Sequence, residues 1–267
     1  AVHLFGGPSG AGKSRMLFQW FKDLALGNPI IGLAVPRPIR IGYVCLDRTD
    51  ESVLETMECL EITPQDMPNF ELISCADRLV TLDQIPHLFK QTPDLLVIDG
   101  LPVLLPSGDI NKYTEVANFM RHCLKICKQF NLTSLGVLHC AKTKENERYL
   151  NPRQRISGSV AWAAFSETIF LLEPIKPESK DDDRSTLTVL PRNAKKICKD
   201  FTFNDKGQLI ELSIVEEQDR YELLLIQIPS NESMSRDRIL DLALNLGIAK
   251  TQCDAFLAKC LEDGRLF

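Results

Sequence analysis

The sequence has 267 residues, with 31 Lys and Arg against 36 Asp and Glu, so its net charge is −5. Hydrophobic residues make up 44% and charged residues 25%, and these proportions exclude a disordered or collagen-like chain. No stretch approaches the roughly 18 apolar residues of a membrane span, and no signal peptide precedes the first motif, so we expect no membrane association. Nine scattered cysteines without a Cys-x-x-Cys pair indicate reduced thiols in a cytoplasmic protein.

Apolar strands alternate with amphipathic helices through the first two-thirds of the sequence. Continuous apolar strands of this kind are typical of a parallel sheet that helices cover on both faces. The predicted strands are 2–5, 39–46, 70–74, 95–98 and 134–138, and the predicted helices are 13–26, 52–60, 82–89 and 113–130.

The pattern changes after Arg155. A short helix at 159–165 leads into predicted strands at 168–172, 187–190, 200–203 and 208–214. Because residues 204–207 read Asn-Asp-Lys-Gly, which favours a turn, the last two strands are predicted to pair as an antiparallel hairpin. The sequence therefore predicts an α/β fold in which a mostly parallel central sheet carries an antiparallel β extension.

The end of the sequence predicts a small appendage. Residues 228–234 have the composition of a linker, which separates a domain at 1–227 from a C-terminal segment at 235–267. Two short helices predicted on either side of Gly247 resemble the start of a winged helix. The second of them carries two lysines but also an aspartate and a glutamate. This mixture favours packing or a protein partner over binding to duplex DNA, which stays the alternative.

A complete phosphate-binding motif directly follows the first strand. Residues 7–14 match the pattern Gly-x-x-x-x-Gly-Lys-Ser between a strand and a helix. The glycines let backbone N–H groups turn toward a phosphate, and the helix N-terminus adds its positive dipole. Lys13 is predicted to reach the β- and γ-phosphates of ATP, and the Ser14 hydroxyl to bind Mg²⁺. The predicted nucleotide contacts are Gly7, Pro8, Ser9, Gly10, Ala11, Gly12, Lys13, Ser14 and Arg15.

A second part of the site stands at residues 94–99, which read Asp-Leu-Leu-Val-Ile-Asp. An acidic residue at the end of a buried strand can hold Mg²⁺, directly or through water. Because the apolar strand isolates this carboxylate from solvent, its charge needs a partner such as the metal. Asp99 is therefore predicted to be the Walker B residue and to bind Mg²⁺ together with Ser14. The alternative is an aspartate that caps a turn.

The P-loop string also resembles that of guanylate kinases, so the rest of the chain has to assign the family. Four further features resemble RecA-fold ATPases, specifically the branch of plasmid RepA-type and DnaB-type hexameric helicases. They follow in the same order over about residues 1–215. The features are Asp47 at the end of the second strand, Asp99-Gly100-Leu101 with a polar loop after it, His139 to Lys142 after the fifth strand, and Ser157 to Trp162.

The resemblance implies catalytic roles for two of these residues. Asp47 stands where the family usually has a glutamate that polarises the attacking water, and its reach is one methylene shorter. The alternative is that Asp47 caps the following helix, in which case Glu51 is the next candidate for this role. His139 stands where the family has a sensor that connects the γ-phosphate to the DNA-binding loop. The alternative is an ordinary histidine of the core.

A polar loop at 142–155 contains five basic residues and one aromatic residue. In the family that the sequence resembles, such loops face the central channel of a ring. Basic side chains there neutralise phosphates, and an aromatic ring stacks on a base. A solvated surface loop is the alternative. The predicted contacts with single-stranded DNA are Lys142, Lys144, Arg148, Tyr149, Arg153 and Arg155.

A later basic segment stands in the place of the family's Lys-Asn-Arg motif, from which a basic residue enters the neighbouring subunit's ATP site as an arginine finger. Arg192 matches the first basic position, but Ala194 falls where the arginine is expected. Lys195 or Lys196 is the candidate to replace it, and a merely basic strand edge is the alternative.

Taken together, the resemblance implies a Mg²⁺-dependent ATPase that assembles into a ring, expected to be a hexamer. It would act as a motor on single-stranded DNA in replication or recombination, in a bacterial, phage or mobile-element context, and the C-terminal segment would contact a replication partner. Two alternatives stay open. One is a nucleotide-gated regulatory ATPase with little hydrolysis, which Asp47 and Ala194 favour, and the other is a nucleotide kinase of guanylate-kinase type.

Overall fold

The structure is a computed structural model, and it describes most of the chain. The described residues are 1–140, 152–156, 158–175, 184–212, 224–225, 228, 234–245, 248, 253–254, 256–258 and 260. The chain divides into two compact units, Ala1–Leu212 and Ser213–Phe267. The predicted linker at 228–234 falls mostly outside the described residues, so its position stays a prediction.

Within the described part of the first unit, the strands form a single sheet. They are β1 (Val2–Gly7), β2 (Ile41–Cys45), β3 (Phe70–Ser74), β4 (Leu95–Asp99), β5 (Thr133–His139), β6 (Thr168–Pro174), β7 (Ser185–Pro191), β8 (Ile197–Phe203) and β9 (Leu209–Leu212). Their order across the sheet is β3-β2-β4-β5-β1-β6-β7-β8-β9. All pairs from β3 to β6 in this order are parallel, and the pairs from β6 to β9 are antiparallel. The predicted α/β fold with an antiparallel extension is confirmed.

Helices cover both faces of the sheet. They are α1 (Lys13–Leu26), α2 (Asp50–Cys59), α3 (Tyr113–Gln129) and α4 (Ala161–Phe165). The apolar side chains of α1 and α2 join one buried cluster around Phe18 and Tyr43, and those of α3 and α4 join a second one around Met120 and Trp162. Each large side chain buried in this way contributes about 1.5–3 kcal/mol. The two buried clusters therefore stabilise the sheet from both faces.

The helix predicted at 82–89 is wrong, because this segment forms only a short 3₁₀ turn at Ile85–Leu88. Pro86 lies in the first turn and has no backbone N–H to donate, and Phe89 is already extended, with φ −88° and ψ 145°. Ile85 and Phe89 are nevertheless buried in the core. Their apolar spacing thus indicated burial correctly, but it did not indicate a helix.

Strands β8 and β9 form the predicted hairpin. The side-chain oxygen of Asn204 accepts hydrogen bonds from the backbone N–H groups of Lys206 (3.0 Å) and Gln208 (2.9 Å). Gly207 takes a positive φ of 72°, which glycine adopts at little cost. The turn lies at the same end of the sheet as the P-loop, and it holds Phe203 against that loop.

The second unit has described residues in helix α5 (Arg236–Asn245) and in a few positions after it. The Arg236 guanidinium donates to both carboxylate oxygens of Asp254, each at 2.7 Å. Lys250 and Lys259 of the predicted second helix lie outside the described residues. No helix in the described part of the chain is long and apolar enough to span a bilayer. A small apolar cluster in this unit contains Leu224, Leu240, Ala243, Ile248 and Cys253.

Candidate nucleotide and metal site

The carboxyl ends of the parallel strands meet at one edge of the sheet. Gly7 at the end of β1 pairs with His139 at the end of β5, and Cys45 of β2 pairs with Asp99 of β4. Strand geometry therefore gathers the predicted groups around a cavity of about 360 Å³, a size typical of ligand sites. The cavity is lined by Ser9, Gly10, Gly12, Lys13, Ser14, Arg15, Asp47, Arg48, Thr56, Asp99 and His139.

The P-loop runs from the end of β1 into the first turn of α1. Gly10 and Gly12 have φ values of 81° and 89°, in the left-handed region that favours glycine. A Cβ atom at Gly12 would also lie 2.5 Å from the Phe203 ring. Among the residues that the structure describes, no side chain caps the N-terminus of α1. The first N–H groups of this helix are thus available to a phosphate beside the loop.

Lys13 places a positive charge at the base of the loop. Only 8% of the residue is exposed, and its Nζ donates to the backbone carbonyls of Gly7 and Pro8, both at 2.9 Å. Burial lowers the pKa of Lys13. Because a buried cation binds a charged oxygen more strongly than a neutral carbonyl, this arrangement favours a phosphate as its ligand.

Asp99 lies buried at the end of β4, and two side chains bind its carboxylate. The Tyr43 hydroxyl donates to Asp99 Oδ2, and the Arg48 Nη2 donates to the same oxygen at 2.7 Å. This Arg48 nitrogen also lies 3.0 Å from the Tyr43 hydroxyl and 3.1 Å from Ser14 Oγ. Burial raises the pKa of Tyr43, which keeps its hydroxyl protonated as a donor. The two predicted metal ligands, Ser14 and Asp99, are thus connected through one guanidinium nitrogen.

Sequence reasoning missed Arg48 and Tyr43 as residues of the site. Both signals were present in the sequence, because Arg48 directly follows Asp47 at the carboxyl end of β2, and Tyr43 is a polar-tipped residue within that apolar strand. Once the strand order places β2 beside β4, these side chains face Asp99.

The residues at this edge fit a magnesium ion. A hydroxyl and a carboxylate are oxygen ligands of the kind that Mg²⁺ takes. The guanidinium of Arg48 lies between Ser14 Oγ and Asp99 Oδ2, so both oxygens already face a position that a cation occupies. Ligand atoms of Cys45, Asp47 and Asp99 also lie within 4.8 Å of one another. Burial raises the pKa of Cys45, which keeps its thiol protonated and leaves the oxygen atoms as the metal ligands.

Asp47 and His139, the residues expected to act on water and on the γ-phosphate, line the same cavity. Both are exposed at their strand ends. The N-terminus of α2 is capped by Thr49, whose Oγ1 accepts from the Ser52 backbone N–H at 3.5 Å, so Asp47 is not needed as a cap. Glu51, the alternative acid, lines a neighbouring cavity instead.

The predicted DNA contacts divide into two groups. Arg155 forms an ion pair with Glu173 of β6, and Arg153 donates to the Pro191 carbonyl at 3.0 Å, so both are engaged within the fold. Their role in binding DNA stays a prediction. The remaining four contacts, Lys142, Lys144, Arg148 and Tyr149, lie outside the described residues.

The predicted trans-acting residues lie at the opposite end of the sheet. Arg192, Lys195 and Lys196 are exposed between β7 and β8, level with the amino ends of the parallel strands. Arg192 donates to the carbonyl of Ala164 and lies 3.7 Å from Glu167. These residues do not line the cavity of their own subunit. Their action at a neighbouring site stays a prediction.

Comparisons with known proteins agree with this architecture. The family profile described as AAA domain matches residues 1–145. A solved structure, the KaiC-like protein from the hyperthermophilic archaeon Pyrococcus horikoshii OT3, is similar with a TM-score of 0.51 and 12% sequence identity, over 79% of this chain and 88% of that chain. At this identity the likeness concerns the fold alone, and it confirms the RecA-type fold. A search of curated proteins finds no match.

Proposed function

This chain belongs to the AAA domain family, whose profile covers more than half of it, and on that premise we propose that it is a Mg²⁺-dependent ATPase. ATPases with a P-loop of this kind generally bind ATP together with Mg²⁺. The observation that carries the proposal is that Lys13, Ser14 and Asp99 line one cavity. The positively charged guanidinium of Arg48 lies between Ser14 and Asp99, where the metal ion is proposed to bind.

Each group of the site has a defined task in this reaction. The N-terminus of α1 and Lys13 hold the β- and γ-phosphates. Ser14 and Asp99 would hold Mg²⁺, which neutralises charge on these phosphates. Asp47 faces the same cavity at the end of β2, where its carboxylate can accept a proton from the attacking water. His139, at the end of β5, lines the same cavity, where it would face the γ-phosphate.

The proposal extends to a ring-forming motor on single-stranded DNA, expected to be a hexamer, in replication or recombination. One feature supporting it is that His139 lies three positions before the basic loop at 142–155, so that a change at the γ-phosphate would be transmitted along the end of β5. Another is that Arg192 and Lys195 are exposed at the far end of the sheet, where a neighbouring subunit can approach them, and Arg192 would then have to exchange its contacts with Ala164 and Glu167. DNA binding by the loop would depend strongly on salt concentration.

The test is ATP hydrolysis with and without single-stranded DNA, combined with size determination in ADP and in a non-hydrolysable analogue. The proposal predicts hydrolysis that DNA stimulates and a ring that forms with nucleotide. Hydrolysis without any response to DNA would refute the motor but keep the ATPase. Transfer of phosphate to GMP would instead identify a nucleotide kinase.

A second function, a nucleotide-gated regulatory ATPase, is favoured by two features of the site. Arg48 lies between the metal ligands, and the acid beside it is the shorter Asp47. Both features would slow hydrolysis without preventing nucleotide from binding. Tight ATP binding with negligible hydrolysis, even with DNA present, would select this function over the motor.

A further inference from the structure

We infer that Arg48 is an internal cation that holds the metal position in the nucleotide-free protein and has to leave before Mg²⁺ binds. Arg48 thereby makes metal binding depend on nucleotide. The inference concerns the regulation of the site assigned above, and it therefore rests on the proposed function.

Contact geometry is the first support. A single nitrogen of Arg48 reaches Asp99 Oδ2 at 2.7 Å, the Tyr43 hydroxyl at 3.0 Å and Ser14 Oγ at 3.1 Å. A magnesium ion binds its oxygen ligands at about 2.0–2.1 Å and tolerates little distortion. Ser14 and Asp99 therefore cannot bind the guanidinium and the metal in the same place at the same time.

Charge is the second support. Two cations that share one partly buried position repel each other strongly, because little water screens them there. Burial disfavours the charged guanidinium, but the carboxylate of Asp99 stabilises it at 2.7 Å. Arginine does not lose its proton under these conditions. The repulsion is thus relieved only when the side chain moves.

The loop is built so that the side chain of Arg48 can move alone. Its backbone carbonyl accepts a hydrogen bond from Ser74 Oγ at 3.0 Å, and the next residue, Thr49, caps the N-terminus of helix α2. The side chain itself is 27% exposed and lines the open cavity. Rotation about the side-chain bonds therefore releases the metal ligands without moving the backbone that carries Asp47.

Nucleotide changes the balance between the two cations. Without nucleotide, Mg²⁺ has to break the ion pair between Arg48 and Asp99, and the displaced guanidinium then has no phosphate as a new partner. When ATP is bound, its phosphates contribute oxygen ligands to the metal and a new anionic partner to the displaced guanidinium. Metal binding is consequently weak without nucleotide and strong with it.

The experiment measures the binding of Mn²⁺ alone by electron paramagnetic resonance, to the full chain without nucleotide. Arg48→Gln removes the competing charge and is expected to bind Mn²⁺ about tenfold more tightly than wild type, because a charge-assisted hydrogen bond no longer opposes the metal. Arg37→Gln is the matched control. It removes the same charge from an ion pair with Asp94 at the other end of β4, and it is expected to bind like wild type.

Equal affinity of wild type and Arg48→Gln for Mn²⁺ alone would overturn the inference. Measuring the binding of the Mn²⁺–ATP complex to each protein separates the two proposals, because failure of both proteins to bind this complex refutes the nucleotide site itself. If Arg48→Gln does not fold, nitrogen NMR of the wild-type guanidinium groups decides, with Arg48→Lys used to assign the signal. Release of the Arg48 signal on addition of Mg²⁺ and an ATP analogue supports the inference, and an unchanged signal contradicts it.

Discussion

The two ends of strand β4 carry the same chemical pair in different surroundings. At the amino end, Asp94 accepts two hydrogen bonds from Arg37, at 2.8 and 3.2 Å, and the arginine side chain is 63% exposed. At the carboxyl end, Asp99 pairs with Arg48, and only 10% of its side chain is exposed. The nitrogen–oxygen distances of the two ion pairs are similar, 2.8 and 2.7 Å. The two pairs therefore differ in their exposure to water and in the groups around them.

This difference separates a structural ion pair from a functional one. An exposed pair contributes about 0.2–1 kcal/mol, because water and salt screen it. A buried pair costs desolvation free energy and is weak support for stability. The pair of Asp99 and Arg48 also lies beside Lys13 and Ser14 in a cavity. Its position therefore indicates a site that exchanges cations, whereas Asp94 and Arg37 fasten the start of the strand.

The largest loss of ATP turnover is expected from Lys13→Ala, beside the carboxyl ends of the parallel strands. Loss of the ammonium group removes the charge proposed to contact the phosphates throughout the reaction, and ATP turnover is expected to fall by about 100-fold or more. The control is Lys22→Ala on the same helix, which breaks an exposed ion pair with Asp66. Steady-state hydrolysis of the control is expected within about twofold of wild type. Wild-type turnover in Lys13→Ala would refute the ATPase assignment.

A smaller loss is expected from Asp47→Asn, which keeps the shape of the side chain but removes its ability to accept a proton. Turnover is predicted to fall by about 100-fold, the low end of what a general base contributes, with ATP affinity unchanged, since the residue is proposed to act on water and not on nucleotide. Glu51→Gln lines a different cavity and serves as the comparison. If Glu51→Gln lost activity while Asp47→Asn kept it, the roles of the two acids would have to be exchanged.

The smallest effect concerns stability at the amino end of β4. The hydrogen bond from Arg37, which outweighs the opposing effect of partial burial, lowers the pKa of Asp94 from 3.8 to about 2. A carboxylate whose pKa is lower in the folded state stabilises it above its unfolded pKa. This contribution, about 1 kcal/mol or less, is present above about pH 4 and is lost as the pH falls toward 2.

Urea unfolding of wild type and Asp94→Asn at several pH values measures this contribution. The free energy of unfolding should differ between the two proteins at pH 5 and converge near pH 2. A difference that stays constant with pH would show that Asp94 acts through packing and not through its charge.

The sequence predicted those parts of the molecule that depend on neighbours along the chain. The P-loop at residues 7–14 and the buried strand before Asp99 are continuous patterns, and the hairpin turn at 204–207 is another. Each of them combines a local conformation with residues that only that conformation accommodates. The structure has a strand, a helix start and a turn at these positions.

Contacts between residues that are far apart in the sequence could not be predicted from patterns along the chain. Arg48 and Asp99 are 51 positions apart, and Ser14 and Arg48 are 34 apart, so their meeting depends on the strand order. The 82–89 segment shows a related limit, because its apolar spacing suits both a helix and a 3₁₀ turn, and Pro86 decided between them. Periodicity indicates which side chains are buried more directly than it indicates their neighbours.

The most direct test of the central claim compares ATP hydrolysis in Mg²⁺ by variants of two aspartates, Asp94 immediately before β4 and Asp99 at its carboxyl end. Asp99→Asn removes the charge at the proposed metal position, and its turnover is expected to fall by about 100-fold or more. Asp94→Asn removes the same charge at the other end of the same strand, and its turnover is expected within about twofold of wild type. Equal turnover in Asp99→Asn and Asp94→Asn would contradict the assignment of the metal and nucleotide site to the carboxyl edge of the sheet.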